Sequence, residues 1–226
     1  MTIEFTKKEV TWILIMIIIL TFIIGFKTNL EKETAELTLI IPFIASATII
    51  LTSVIVKKIA APYFNLKIEH KSWEFQRYAW YERSKLKKPF PIGLLLPFFI
   101  ALLTFGLVKP MTLIQFSYED IPKTRILKRY GRINRRRTMI NDSDPGYIAS
   151  WGFIALFLLV ISSAILTYLT NLQLFSDITK YTIYYSLWNL IPISELDGSK
   201  VFFGSPLTWT FLTTIFLLSL GLILIF

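Results

Sequence analysis

The chain has 226 residues, of which 54% are hydrophobic and only 17% charged, and its net charge is +9. It contains no cysteine and a single histidine, His70, which excludes disulfide frameworks, thiolate metal sites, cysteine nucleophiles and any site that needs two histidines. Its long charge-free runs exclude a soluble globular domain, because uniformly apolar helices have no polar face for water. We therefore predict an all-α integral membrane protein consisting of one membrane domain, residues 1–226.

Five apolar segments predict membrane-crossing helices, because each approaches or exceeds the roughly 18–20 residues that cross a hydrocarbon core. They lie near residues 10–26, 37–56, 147–169, 178–194 and 206–226. The first segment lacks a small-residue cleavage pattern and is followed directly by Lys27, so we interpret it as a retained anchor. Together with a sixth apolar stretch, this gives five to six transmembrane segments.

The sixth stretch, residues 89–108, either re-enters the membrane or spans it. Eighteen of the 24 Lys and Arg residues lie between Lys57 and Arg137, nine on each side of this stretch, in the loops 57–88 and 109–146. The positive-inside rule places both loops in the cytoplasm, which a span between them would not allow. Three prolines in the stretch also interrupt regular helix and favour re-entry. A proline-kinked span is the alternative.

The same rule predicts the orientation in the cell membrane. The N-terminus and the basic loops are expected in the cytoplasm, and the acidic loop 31–36 and the C-terminus outside. Attraction to anionic inner-leaflet lipid explains basic runs such as Arg135-Arg136-Arg137. The expected partner is thus the lipid bilayer, and no nucleic-acid role is predicted.

Polar residues interrupt the penultimate apolar segment, where such residues are costly and usually functional. Asn189 lies three residues before Pro192, which frees a backbone carbonyl one turn back that Asn189 could help satisfy. Leu196-Asp197-Gly198 follows in a predicted turn, whose glycine permits close backbone approach. From the residues alone, a kinked helix end with an interfacial acidic loop is the simpler explanation.

This pattern resembles the N-x-x-P and L-D-G motif of the site-2 protease family of intramembrane metalloproteases. The matching residues are Asn189, Pro192, Leu196, Asp197 and Gly198. The resemblance implies a site-2 protease-like core over most of the chain from residue 37 onwards. It also implies that Asp197 is the third zinc ligand, the first two being the histidines of an H-E-x-x-H motif on an earlier helix.

The segment His70-Lys71-Ser72-Trp73-Glu74 occupies the place of that H-E-x-x-H motif. The resemblance then implies that His70 is the first metal ligand, that Lys71 stands at the general-base position and that Glu74 is the second ligand. A third family landmark, A-G-P-x-x-N, falls on residues 151–156, where only Gly152 is kept.

The chemistry of this degenerate motif is weakened at two points. On a helix, His70 and Glu74 would share a face and could join Asp197 in a one-histidine, two-carboxylate site, which holds zinc less well than a histidine-rich one. Lys71 cannot act as a base at neutral pH unless desolvation lowers its pKa by several units. A lysine amine could instead take the place of the metal's charge by pairing with Asp197 or Glu74.

Three functions follow from these observations. The first is a catalytically inactive site-2 protease relative that keeps the fold, needs no cofactor and binds membrane segments. The second is an active, divergent metalloprotease that uses zinc held by His70, Glu74 and Asp197. The third is an unrelated membrane scaffold or transporter subunit in which the L-D-G match is accidental. We assign no catalytic residue, because Lys71 stands at the position of the general base.

Overall fold

Long apolar helices dominate the computed structural model, which describes residues 5–26, 35–77, 85–120, 125–129, 132–136 and 143–225. In these ranges the helices are α1 (Lys7–Gly25), α2 (Ala35–Ala60), α3 (Ile92–Leu103), α4 (Asp144–Thr170), α5 (Gln173–Leu190), α6 (Asp197–Gly204) and α7 (Pro206–Ile225). A short 3-10 turn, Ala61–Phe64, extends α2. The acidic loop between α1 and α2 and the centres of the two basic loops, including Arg137, lie largely outside the described residues.

Four of these segments are long and apolar enough to cross a membrane: Lys7–Gly25, Leu39–Phe64, Asp144–Thr170 and Pro206–Ile223. They coincide with four of the five predicted spans and indicate a membrane protein. Helix α5 covers the fifth predicted span, and its crossing of a bilayer stays a prediction, as does the orientation of the loops.

The helices pack into one bundle in which α1 contacts α2, α2 contacts α4 and α5, and α4 contacts α5 and α6. Small hydroxyl side chains join neighbouring helices: Thr21 bonds Ser46 across α1 and α2, and Ser163 bonds Thr179 across α4 and α5, both at 2.7 Å. Such interhelical hydrogen bonds are typical of membrane bundles, where an unpaired hydroxyl would face hydrocarbon.

The all-α expectation is incomplete, because the described residues also form six short strands. They are β1 (Leu66–Ser72), β2 (Phe75–Arg77), β3 (Lys85–Phe90), β4 (Ile114–Asp120), β5 (Arg125–Arg129) and β6 (Arg132–Arg136). They pair antiparallel as β1–β4, β2–β3 and β5–β6. In β1 the inward residues alternate with exposed ones, so that Leu66, Ile68 and His70 are buried.

The segment from Gly93 to Leu113, which contains most of α3, forms an excursion that starts and ends beside Trp73, at the end of the β1–β4 sheet. The Gly93 amide donates to Trp73 O at 2.9 Å, the Leu113 amide to Gly93 O at 3.0 Å, and the Trp73 amide to Leu113 O at 3.2 Å. A side chain at Gly93 would lie 2.5 Å from Leu113 O, which explains the glycine at this junction. Both ends of the excursion are thus hydrogen-bonded together at the sheet, and whether residues 89–108 re-enter or span a bilayer stays a prediction.

Candidate functional site

The N-x-x-P and L-D-G residues form the turn that joins α5 to α6. Helix α5 ends at Leu190, before Pro192, and Asp197 begins α6. Leu196 is buried, and a Cβ at Gly198 would lie 2.4 Å from both the carbonyl carbon and oxygen of Leu190. The close backbone approach predicted for this glycine is therefore present, and no larger residue fits.

Asn189 links this turn to the sheet. Its Nδ2 donates to Thr112 O at 3.2 Å and to Tyr185 O at 3.0 Å, and its Oδ1 accepts from the Ile114 amide at 3.1 Å. The side-chain amide therefore bonds Thr112 O and the Ile114 N–H, two residues apart at the start of β4. A neighbouring β-strand would form the same pair of hydrogen bonds. The main role of Asn189 is thus to close the β4 edge, in addition to satisfying a carbonyl one turn before it in α5.

Asp197 is buried, with 1% of its side chain exposed, and forms an ion pair through Oδ2 with Lys57 Nζ. The amine of Lys200 lies 4.0 Å from the other carboxylate oxygen, which accepts no hydrogen bond from the described residues. Lys200 itself donates to Phe116 O at 2.5 Å, and burial lowers its pKa to about 8. The aspartate of the motif therefore faces two amines.

Lys57 reaches Asp197 from the last two turns of α2, and Gly152 makes its path possible. A Cβ at Gly152 would lie 2.4 Å from Lys57 Cε and 3.0 Å from Lys57 Cγ. The lysine stem thus crosses the face of α4 at a position where α4 has no side chain. The sequence singled out Gly152 as a landmark, and the structure gives it this physical role.

One turn before Lys57, Ser53 is buried and lies beside the side chain of Tyr185 in α5. Ser53 and Lys57 are at positions i and i+4 of α2 and so share the helix face that packs against α5. Of these two positions, Lys57 is the one that contacts Asp197.

His70 lies on β1 rather than on a helix, so the condition under which His70 and Glu74 would share a face is not met. Glu9 Oε1, on α1, accepts hydrogen bonds from the His70 backbone amide at 3.0 Å and from His70 Nδ1 at 2.8 Å. Its other oxygen, Oε2, pairs with Lys58 at 2.7 Å. Burial lowers the pKa of His70, more strongly than the hydrogen bond to Glu9 raises it. The ring is thus neutral, and its Nε2 is buried without a hydrogen-bond partner among the described residues.

Lys71 and Glu74 pair with each other at 3.2 Å, and both are partly exposed. Within the described part of the chain, no three His, Cys, Asp or Glu side chains come together as a group that could hold a metal ion. The predicted ligands His70, Glu74 and Asp197 thus do not converge there, because the first two lie on and after a strand and each has another partner.

Comparison with known proteins adds no family assignment. No family model, curated protein or solved structure matches this chain.

The residue that sequence reasoning missed is Lys57, which was assigned to a cytoplasmic basic loop. Its signal was present in the sequence: Lys57-Lys58 is followed by Ile59-Ala60-Ala61, so the apolar helix continues past the two lysines. Chemically, the site is a carboxylate neutralised by an amine in a buried environment. Such a pair holds α2 against α6 and leaves Asp197 without a free negative charge.

Proposed function

We propose that this protein is a catalytically inactive member of the site-2 protease family, which keeps the fold and the L-D-G turn and binds membrane segments instead of cleaving them. The observation that carries the proposal is the buried ion pair between Lys57 and Asp197. The amine supplies at Asp197 the positive charge that a metal ion would supply in an active relative.

The argument rests on electrostatics. A catalytic zinc needs three protein ligands and an open position for water. Here the lysine amine bonds one oxygen of Asp197, and a second amine approaches the other. A divalent cation entering this site would meet two positive charges and would have to displace Lys57. The site therefore favours the metal-free state.

The residues available for catalysis support the same conclusion. A metal-bound water needs a base to take its proton, and Lys71 is held by Glu74 at 3.2 Å. In α2, the side chain that contacts Asp197 is the amine of Lys57, which repels a metal ion instead of binding it. An active metalloprotease using His70, Glu74 and Asp197 would require these side chains to leave their present partners.

Binding of membrane segments is supported by an apolar groove between α2 and α4. Its volume is about 480 Å³, and it is lined by Val56, Ile59, Ala60, Tyr63, Phe64 and Trp151. Trp151 and Tyr63 are 50% and 76% exposed, and none of the described residues that line the groove is charged. Such a surface suits an apolar helix, which an inactive protease could hold without cutting.

The simpler explanation of the L-D-G turn, a kinked helix end with an interfacial acidic loop, would leave Asp197 exposed. Asp197 is instead buried and paired with Lys57. This observation favours the family interpretation over an accidental L-D-G match.

Elemental analysis of the purified protein in mild detergent tests the proposal. We expect no stoichiometric transition metal in the wild type or in Asp197→Ala. Near-stoichiometric zinc in the wild type that is lost in Asp197→Ala would contradict the proposal and favour the active protease.

A gain-of-metal variant tests the family geometry itself. Ser53→His combined with Lys57→His would place a new histidine pair at positions i and i+4 of α2, one of them at the position that contacts Asp197, and is expected to acquire about one zinc per chain. The matched control adds Asp197→Ala to the two histidines, because a helical histidine pair alone binds zinc weakly. Equal zinc content with and without Asp197 would show that the three positions do not form a family-like site.

A further inference from the structure

A small polar cavity lies between the sheet and the turn before α6, on the side that the positive-inside rule predicts to be cytoplasmic. Its volume is about 320 Å³, and its lining includes Lys71, Glu74, Pro89, Gln115, Ser194 and Glu195. It is separate from the buried Lys57–Asp197 pair, which does not line it. Of its lining residues, Gln115, Ser194 and Glu195 have no role in the proposed function.

The charge of the cavity wall is opposite to that of the chain. Lys71 and Glu74 neutralise each other as an ion pair at 3.2 Å. Glu195 is exposed and has no basic side chain within 4.0 Å among the described residues, since the nearby amine of Lys200 is held by Phe116 O. The wall thus carries one unneutralised negative charge in a protein whose net charge is +9.

Gln115 provides a second and independent feature. Gln115 lines the cavity and is 1% exposed, and its Oε1 is buried without a hydrogen-bond partner among the described residues. A buried acceptor left unsatisfied costs about 1–3 kcal/mol. A ligand that donates a hydrogen bond here would recover that free energy.

We propose that this cavity binds the basic side chain, arginine or lysine, that flanks the cytoplasmic end of a partner's membrane span. Glu195 supplies the charge and Gln115 Oε1 the acceptor for a cationic donor, and a guanidinium carries several N–H groups that can donate to both kinds of acceptor. Spans characteristically carry such residues on their cytoplasmic flank. The inference rests on the proposed function, because it identifies the membrane segments that the protein would hold.

The test measures the affinity of two small probes for the full chain in detergent. The probe is N-acetylargininamide, and the control is its citrulline counterpart, which has the same shape without the charge. We expect the arginine probe to bind at least about tenfold more tightly than the citrulline probe, and Glu195→Gln to remove that difference. Gln115→Met should also weaken the arginine probe. Glu119→Gln, which removes an exposed carboxylate outside the cavity, should leave both affinities unchanged. Absence of arginine binding, or equal binding of the two probes, would overturn the proposal.

A second experiment separates this inference from the proposed function. Single-span peptides with an arginine or a citrulline flank are photo-crosslinked to the wild type and to Glu195→Gln in lipid nanodiscs. Preferential capture of the arginine peptide by the wild type alone supports the inference. Equal capture of both peptides by both proteins contradicts it, while segment binding stands. If the free arginine probe binds but neither peptide is captured, the assignment of the ligand to a membrane span is wrong, and the proposed function fails with it.

Discussion

Lys57 and Asp197 form an ion pair with only 3% and 1% of their side chains exposed, which connects the end of α2 to the start of α6 across a glycine in α4. Two charges at this depth are tolerated only as a pair, because the desolvation of either one alone is not compensated. The pair therefore constrains both the chemistry and the stability of the bundle.

Removing one member of the pair should destabilise the protein by about 3–5 kcal/mol, since the remaining charge is buried without a partner. We expect this loss for Lys57→Met and for Asp197→Leu, measured as unfolding free energy in detergent. The double variant should recover most of it, because replacing both charges with apolar groups is often neutral. Additive losses in the double variant would show that the two side chains do not depend on each other.

Gly152→Ala should destabilise the bundle by about 1–3 kcal/mol, because the new methyl group overlaps the stem of Lys57. Gly221→Ala is the matched control: it adds a methyl group to another apolar helix where nothing lies within 4 Å. That variant should be neutral or slightly stabilising, as expected from helix propensity. Equal unfolding temperatures for the two variants would mean that Lys57 does not pass over α4 at this point.

The long helices could be predicted from the sequence because a long apolar run can satisfy its backbone in lipid only as a helix. Strand β1 could not, since its outward-facing charged residues Lys67, Glu69 and Lys71 look like part of a charged loop. Its pairing with β4 also depends on residues more than 40 positions away.

The sequence predicted some residues of the candidate site and missed one. Asn189 and Asp197 stood out because polar groups in an apolar segment are costly. Lys57 did not, because a lysine at the end of an apolar run usually extends its amine to the membrane surface. Only the three-dimensional path past Gly152 shows that this amine turns inward.

Asn189→Leu should lower the unfolding free energy by about 1–3 kcal/mol, because Thr112 O and the Ile114 amide lose their partner in a buried setting. Hydrogen exchange at the Ile114 amide should accelerate in this variant. Asn189→Asp keeps the acceptor for that amide but loses the donor to Thr112 O, so it should retain more protection at Ile114. Unchanged exchange in both variants would contradict the strand-like role of this side chain.

Stability should fall as the pH drops below the ordinary pKa of histidine, about 6.5. Burial lowers the pKa of His70 in the folded protein, so the unfolded state binds the extra proton first. Stability is therefore fully present above about pH 6.5 and declines toward the lowered folded pKa, by at most about 1.4 kcal/mol per pH unit. Unfolding temperatures between pH 5 and 7.5 should show this slope in the wild type and lose it in His70→Gln. A slope that persists in His70→Gln would assign the effect to other groups.

The return of the α3 excursion to its starting point predicts that its two flanks lie on the same side of the membrane. The chain contains no cysteine, so single-cysteine variants can be labelled without a background. Glu74→Cys and Ser117→Cys, before and after the excursion, should react with a membrane-impermeant maleimide from the same side of sealed vesicles. Thr170→Cys, at the far end of α4, should react only from the other side. Labelling of Glu74→Cys and Ser117→Cys from opposite sides would establish a span between them, because one crossing of the bilayer must reverse the side of the flank that follows.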